Sequence, residues 1–391
     1  MENSITILSQ LLSLLPKKSF NRLVGQHAGD RYVKKLTAWN QLVLLLYAQA
    51  SSKDSLREIE TGINTHENSF YHLGIKSVAR SSLSYANSNR DYEIFEKLFY
   101  LVFKQFKGVV SSDQFKFDNP LYIIDSTTVS LCLSLFDWAK YGKTKGAIKL
   151  HTILDSTTMV PEIINITLGK SSDITAAKQI DFSWLKAGSI IVFDRGYIDY
   201  KWWNEFDKKN ITFVSRTKKS QNVFVVGSHG KGMLEKGILA DEKVIFGSFG
   251  AIDKYEKELR RIRYFDEKTQ KEYEFLTNNF ELKAKQIADI YKDRWQIELF
   301  FKWIKQNLKI KTFLGTSKNA VMTQIWIAMI YYLFLSYLKF QTKFSKSLLV
   351  LTRMIREVLM FNRNLIDLLS LDESTIYKFK SQEFDPQLSF W

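Results

Sequence analysis

Apolar residues recur every three or four positions through residues 5–15, 39–48, 56–63 and 92–106, the spacing of helices with a buried face. Lys53-Asp54-Ser55 reads as a helix start, and Gly62 falls near the end of the helix that follows. From residue 121 the period shortens. LYIIDSTTVSL contains an apolar strand that ends at Asp125, and AIKLHTILD (147–155) and PEIINITLG (161–169) are also β-rich. SSDITAAKQIDFSWL reads as a helix opened by Ser172 or Asp173. GSIIVFDRGY is a buried strand ending at Asp194 and broken at Gly196, and ITFVSRTK is one more strand. Three strands, a helix, a strand, a helix and a strand predict a mixed α/β sheet. Residues 218–282 alternate in hairpin fashion and predict an all-β insertion. A long helix follows over about 281–308, and residues 320–391 are helical and rich in Leu and Phe. The most apolar run, 325–338, is shorter than the roughly 20 residues a membrane span needs, so it is expected to be a core helix.

A chain of 391 residues exceeds one ordinary domain, and 45% hydrophobic content with only 4 prolines argues for packed units rather than linkers. Lys and Arg exceed Asp and Glu by 15, which points to a polyanionic partner, most often nucleic acid. The basic, Ser-rich segment VARSSLSYANSNR (78–90) suits a DNA-binding module of helix-turn-helix type, and equally a plain helical packing unit. The single cysteine, Cys132, excludes an internal disulfide and a cysteine-rich zinc module, and fits a reducing cytoplasm. No basic n-region precedes the first apolar run, so no signal peptide is read there.

The chemistry gathers on YKDRWQIELFFKWIK. At about 100° per residue, Tyr291, Arg294, Glu298 and Lys305 share one helical stripe roughly 60° wide. A carboxylate between cations can share a divalent ion while the cations grip phosphates. The same Arg294–Glu298 spacing is also that of an ordinary surface ion pair. Asp125 and Asp194 end apolar strands, where ligand-binding groups of α/β sheets collect. Three clustered carboxylates repel unless cations lie among them, which implies Mg²⁺ or Mn²⁺. Singly, Asp125 can also be a turn cap and Asp194 a partner of Arg195.

Other residues carry weaker signals. Lys149 and His151 follow a basic loop (Lys140, Lys143, Lys145) and are candidates for phosphate contact, with His151 near the metals. Arg195 and Tyr197 follow Asp194 and suit DNA contact or support of the site. Trp295, Trp303, Trp202 and Trp203 are expected in the core. Arg260, Arg261 and Arg263 are either a phosphate-facing strip or a solvated face, and Asp137 and Asp155 are read as structural.

Three blocks carry a resemblance: IIDSTT around Asp125, VFDRGY around Asp194, and Y-x2-R-x3-E-x6-K, met in full by Tyr291, Arg294, Glu298 and Lys305. Together they resemble a DDE transposase of the insertion-sequence 4 family, well over about residues 121–340 and more loosely at the flanks. The resemblance implies a ribonuclease-H-like catalytic domain over 116–340 with its β-rich insertion at about 218–282. A helical DNA-binding domain over 1–115 and a helical region over 341–391 would flank it. It further implies that Asp125, Asp194 and Glu298 hold catalytic Mg²⁺, for which Mn²⁺ substitutes. Tyr291, Arg294 and Lys305 would contact transposon-end DNA, with Arg195, Tyr197, Lys149 and His151 as further candidates. In relatives the insertion helps handle a hairpinned or flipped end. The implied partners are double-stranded DNA, as terminal inverted repeats and target, and a second copy of the chain in a synaptic homodimer. No membrane is implied, and the place of action is the bacterial cytoplasm. Two rival expectations remain from the residues: a nuclease of the same fold without strand transfer, and a non-catalytic DNA-binding regulator.

Overall fold

Helical spacing in the first hundred residues yields seven helices: α1 (Ile7–Ser13), α2 (Lys17–Gln26), α3 (Ala38–Ala50), α4 (Leu56–Asn64), α5 (Phe70–Leu73), α6 (Arg80–Asn89) and α7 (Glu93–Val110). The computed structural model describes residues 5–110, 119–140, 145–218, 221–229, 235–307 and 313–370; Lys143 and the end of the C-terminal region lie outside them. The start of α4 follows the sequence closely. Ser55 Oγ accepts the Glu58 N–H at 3.2 Å and Glu58 returns a bond to the Asp54 N–H at 3.0 Å, so two orphan donors are satisfied reciprocally. In the basic segment 78–90, Arg90 is buried and donates to Gln41 Oε1 at 2.6 Å and to the Leu36 carbonyl at 2.7 Å. Its charge is used to hold the helices together.

The α/β unit follows in the expected order: β1 (Leu121–Leu131), β2 (Gly146–Asp155), β3 (Pro161–Leu168), α8 (Asp173–Lys178), β4 (Ile190–Phe193), α9 (Tyr200–Lys208) and β5 (Thr212–Arg216). Then come β6 (Val223–Ser228), β7 (Ile238–Phe246), α10 (Phe249–Ile252), β8 (Leu259–Asp266), β9 (Lys271–Thr277), α11 (Ala284–Asp293) and α12 (Trp295–Asn307). The strands form one sheet in the order β3-β2-β1-β4-β5-β9-β8-β7-β6. β1, β4 and β5 are parallel, and the rest pair antiparallel. The β3-β2-β1-β4-β5 portion, with its antiparallel start and parallel finish, is the ribonuclease-H-like arrangement. The insertion is thus no separate β layer: β9 pairs with β5 and carries the same sheet onward.

Three other expectations change. β1 does not stop at Asp125, because β2 pairs with it along its length, from Tyr122↔Asp155 to Leu131↔Gly146. α8 is shorter than expected, since Asp181 Oδ1 takes the Ser183 N–H at 2.8 Å and turns the chain. Arg260, Arg261 and Arg263 are not a phosphate-facing strip. Arg260 is buried in a two-pronged bond to Asp241 at 2.7–2.8 Å, and Arg261 and Arg263 pair with Glu242 and Glu272 across the strands.

Side chains of the sheet alternate between two faces. Ile191 and Phe193 join Trp202, Trp203 and Phe206 of α9 in one core; Ile190 and Val192 join Ile287, Ile290 and Tyr291 of α11 in the other. The sheet therefore lies between α9 and α11.

The last described elements are α13 (Lys318–Gln341), α14 (Leu348–Val358) and α15 (Leu365–Ser370). By contacts it divides into two compact units, Met1–Ser111 with Lys305–Trp391, and Ser112–Ile304. The division falls inside α12 and not near residue 340, because α13 packs on α7, α3 and α6. Phe99 meets Trp326 with ring centroids 5.4 Å apart, and Phe106 stacks on Tyr337 at 4.2 Å. α13 has the length and apolarity of a membrane span, yet 89% of its apolar window is buried within the protein, as a core helix requires.

Candidate active site

The pairing register fixes where the first two acids stand. The parallel ladder of β1 and β4 ends at Ile124↔Phe193, so Asp125 and Asp194 are the next residues on both strands, side by side. Neighbouring strands lie about 4.8 Å apart. Asp194 keeps an extended backbone (φ −77°, ψ 163°), so the alternation continues through it. By parity Asp125 follows Leu121 and Ile123, and Asp194 follows Ile190 and Val192. Both carboxylates thus face α11, which supplies Tyr291 and leads through Arg294 into α12, the bearer of Glu298.

The helix expected as one rod is broken at Arg294. Its N–H reaches the Tyr291 carbonyl at 3.1 Å, and the Ile297 N–H reaches the Arg294 carbonyl at 3.2 Å, three-residue bonds that tighten the turn. The side chains still converge. Arg294 Nη1 donates to Asp125 Oδ2 at 3.0 Å and Nη2 to Glu298 Oε1 at 2.7 Å, so one guanidinium spans the first and third acids. The Tyr291 hydroxyl lies 3.4 Å from Asp194 Oδ1, a long contact, with its ring against Phe275. Burial, with Asp194 and Asp173 nearby, pushes the Asp125 carboxyl up to about 6, against the opposing pull of the Ser126 N–H and Arg294. Glu298 is 56% exposed and open to solvent. Burial also raises the Tyr291 phenol, which stays protonated as a donor.

The other marked residues separate cleanly. Ser126 has the opposite parity to Asp125, and its cross-strand partner is His151; Thr128 faces Lys149 in the same way. Lys149 and His151 therefore stand on the α8 and α9 side of the sheet, away from the acids' open face. His151 is 1% exposed and bonded to Thr167 Oγ1 at 2.9 Å, and burial lowers its pKa to about 4. Neither it nor Tyr197, also 1% exposed, offers a surface to a phosphate. The Lys149 ammonium is held by Asp173 at 3.0 Å and by the Ser171 carbonyl at 3.2 Å. Arg195 is exposed beside Asp194. Lys305 is exposed two turns beyond Glu298 on α12, without an ion pair among the described residues. Trp202, Trp203 and Trp303 are buried as expected, but Trp295 is 51% exposed. Asp155 is structural, capping the N–H groups of Thr157 and Thr158. Asp173, which the sequence marks only as a helix start, is the polar residue missed.

Asp125, Asp194 and Glu298 offer oxygen donors alone, a set that suits a hard divalent cation rather than a soft one. Residues 116–334 match the family described as Transposase DDE domain. The chain belongs to the DDE transposase family. It is thus a DNA-cleaving transposition enzyme whose family chemistry depends on a divalent metal. Among curated transposases, it is 33% identical over 261 residues to a putative transposase, y4zB, of Sinorhizobium fredii, covering 66% of this chain and 70% of the relative. It is 28% identical over 273 residues to the probable transposase for insertion sequence element IS5377 of Geobacillus stearothermophilus, covering 69% and 70%. It is 25% identical over 322 residues to the putative transposase for insertion sequence element IS4SA of Synechocystis, covering 78% and 81%. Residues 3–76 of the transposase match a domain of unknown function, DUF4372. A synaptic complex of the piggyBac transposase with hairpin DNA aligns with TM-score 0.42 and 9% identity over 97% of this chain and 84% of that one, a likeness too slight to argue from.

Proposed function

We propose that this transposase cuts DNA at the terminal inverted repeats of its own insertion sequence and joins the freed 3′-hydroxyl to target DNA, with Asp125, Asp194 and Glu298 as the catalytic carboxylates. The observation that carries the proposal is the matched register of Asp125 and Asp194 on one face of the sheet, with Arg294 spanning Asp125 and Glu298. Asp125, Asp194 and Glu298 would hold Mg²⁺, with Mn²⁺ as substitute, which would supply Lewis-acid activation of water or of a 3′-hydroxyl and stabilisation of the leaving oxygen. The chain's own residues do the rest. Arg294 neutralises the crowded acids in the free protein, and with a divalent cation held among them its guanidinium would be available to a phosphate. Tyr291 steadies Asp194 through its hydroxyl, and Arg195 and Lys305 hold flanking phosphates. The helical N-terminal region binds the repeats, two copies pair the two ends, and the reaction takes place in the bacterial cytoplasm.

The test is Mg²⁺-dependent cleavage and joining on DNA carrying the element's own ends, with Asp194→Asn beside the native protein. Joined products that vanish in the variant support the proposal; cleavage without joining replaces it with a nuclease. Lys305→Ala weakens end binding and lowers the salt slope of log K by about 1, the share of one phosphate contact. Titrating binding against salt checks this, and an unchanged slope removes Lys305 from the DNA interface.

A further inference from the structure

The sheet carries a second polar cluster directly behind the acids. Asp173, the first residue of α8, accepts a hydrogen bond from Ser126 Oγ and one from Lys149 Nζ at 3.0 Å. His151 Nδ1 lies 3.8 Å from the same oxygen and has no hydrogen-bond partner among the described residues, although its side chain is 1% exposed. The other carboxylate oxygen faces Gly196, where a Cβ would sit 3.9 Å away. Asp173 thus touches the residue after Asp125 and looks onto the turn after Asp194. The buried Tyr197 hydroxyl lies in the same cluster, near Ser126 and Asp125.

Ser126 is the link between the two faces. Its side chain is held by Asp173 on one side of the sheet, while its backbone N–H donates to Asp125 Oδ1 at 2.8 Å on the other. A strand residue held at both points cannot swivel without turning the Asp125 carboxylate with it. Lys149 supplies the charge that lets a carboxylate stand so close behind two others.

We propose that Asp173 is a positioning residue. Acting through Ser126, it orients the Asp125 carboxylate to receive the divalent cation. This rests on the metal-holding role of Asp125 and Asp194 given above. Groups that orient a metal ligand from behind typically change metal affinity by about 10- to 100-fold when removed. A residue that only supports the fold lowers stability and leaves the affinity of the folded protein unchanged.

The test measures Mn²⁺ binding to the DNA-free full chain by electron paramagnetic resonance, beside thermal melts without metal. The variants are Asp173→Asn, Ser126→Ala, the double variant and Asp194→Asn. Ser126→Ala deletes one hydroxyl and keeps the strand, so it reports even where Asp173→Asn fails to fold. The expected result is Mn²⁺ affinity about 10-fold weaker in each single variant, with the double variant no weaker than either, because both break one linkage. Native affinity in folded Ser126→Ala, with affinity lost in Asp194→Asn, overturns the positioning role alone. Native affinity in Asp194→Asn as well overturns the metal reading on which it rests.

Discussion

Glu298→Gln abolishes DNA cleavage, by about a thousand-fold or more, while end binding stays within a few-fold of native. Glutamine keeps the length and shape of the side chain and an oxygen that still accepts from Arg294, whose Nη2 lies 2.7 Å from Glu298 Oε1. What it removes is the negative charge. That charge balances Arg294 in the free protein, and it is needed again when a divalent cation and a phosphodiester share the site. Glu298 is 56% exposed, and exposed i,i+4 pairs contribute only about 0.3–0.5 kcal/mol, so the melting temperature hardly moves. Cleavage and gel-shift assays on the same terminal-repeat DNA separate the two effects. Retained cleavage by the variant removes Glu298 from the catalytic set.

Much of this site was legible because it lies where two periodicities meet. Apolar runs ending in Asp125 and Asp194 predict strands, and the β-β-β-α-β order suits their lying side by side; the matched register that aligns the two acids comes from the structure. The helical stripe of Tyr291, Arg294 and Glu298 survives even though the helix breaks at Arg294, because one tightened turn displaces these groups little. What was hidden depends on face and partner, which spacing alone does not encode. Lys149 and His151 are near the acids along the strands but on the wrong side of the sheet. Arg260 looks like a phosphate ligand until β7 brings Asp241 against it. Asp173 carries the signal of an ordinary helix start, and only the fold sets it against Ser126 and Lys149. The β-rich stretch stands as an insertion between β5 and α11, and what stayed hidden is that it extends the same sheet, since alternation marks a strand without saying which strand it pairs with.

Asp125→Asn stabilises the metal-free protein above pH 7 while eliminating cleavage. Burial, reinforced by Asp194 and Asp173, raises the Asp125 carboxyl from 3.8 to about 6 in the folded chain. A carboxyl whose pKa rises on folding binds its proton more tightly in the native state. Its contribution is therefore fully present below the unfolded value near 4 and is lost as pH climbs through about 6. Above that point the ionised group costs the fold up to about 3 kcal/mol, from about 2 units at roughly 1.4 kcal/mol each. Asparagine escapes the cost of the charge; its amide oxygen keeps the bond from Arg294 and gives up the one from the Ser126 N–H, which offsets part of the gain. The expected gain is on the order of 1–3 kcal/mol at pH 8 and near zero at pH 4, read from urea melts in EDTA. Mg²⁺ then reverses the ranking at pH 8. It adds stability to the native protein by binding only its folded state, and adds little to the variant. A variant less stable than native at both pH values, or equally stabilised by Mg²⁺, contradicts this account. With the expected ranking, Asp125 would be a strained charge kept for the cation of the proposed site, and the stability given up without metal would measure how strongly the fold presents it.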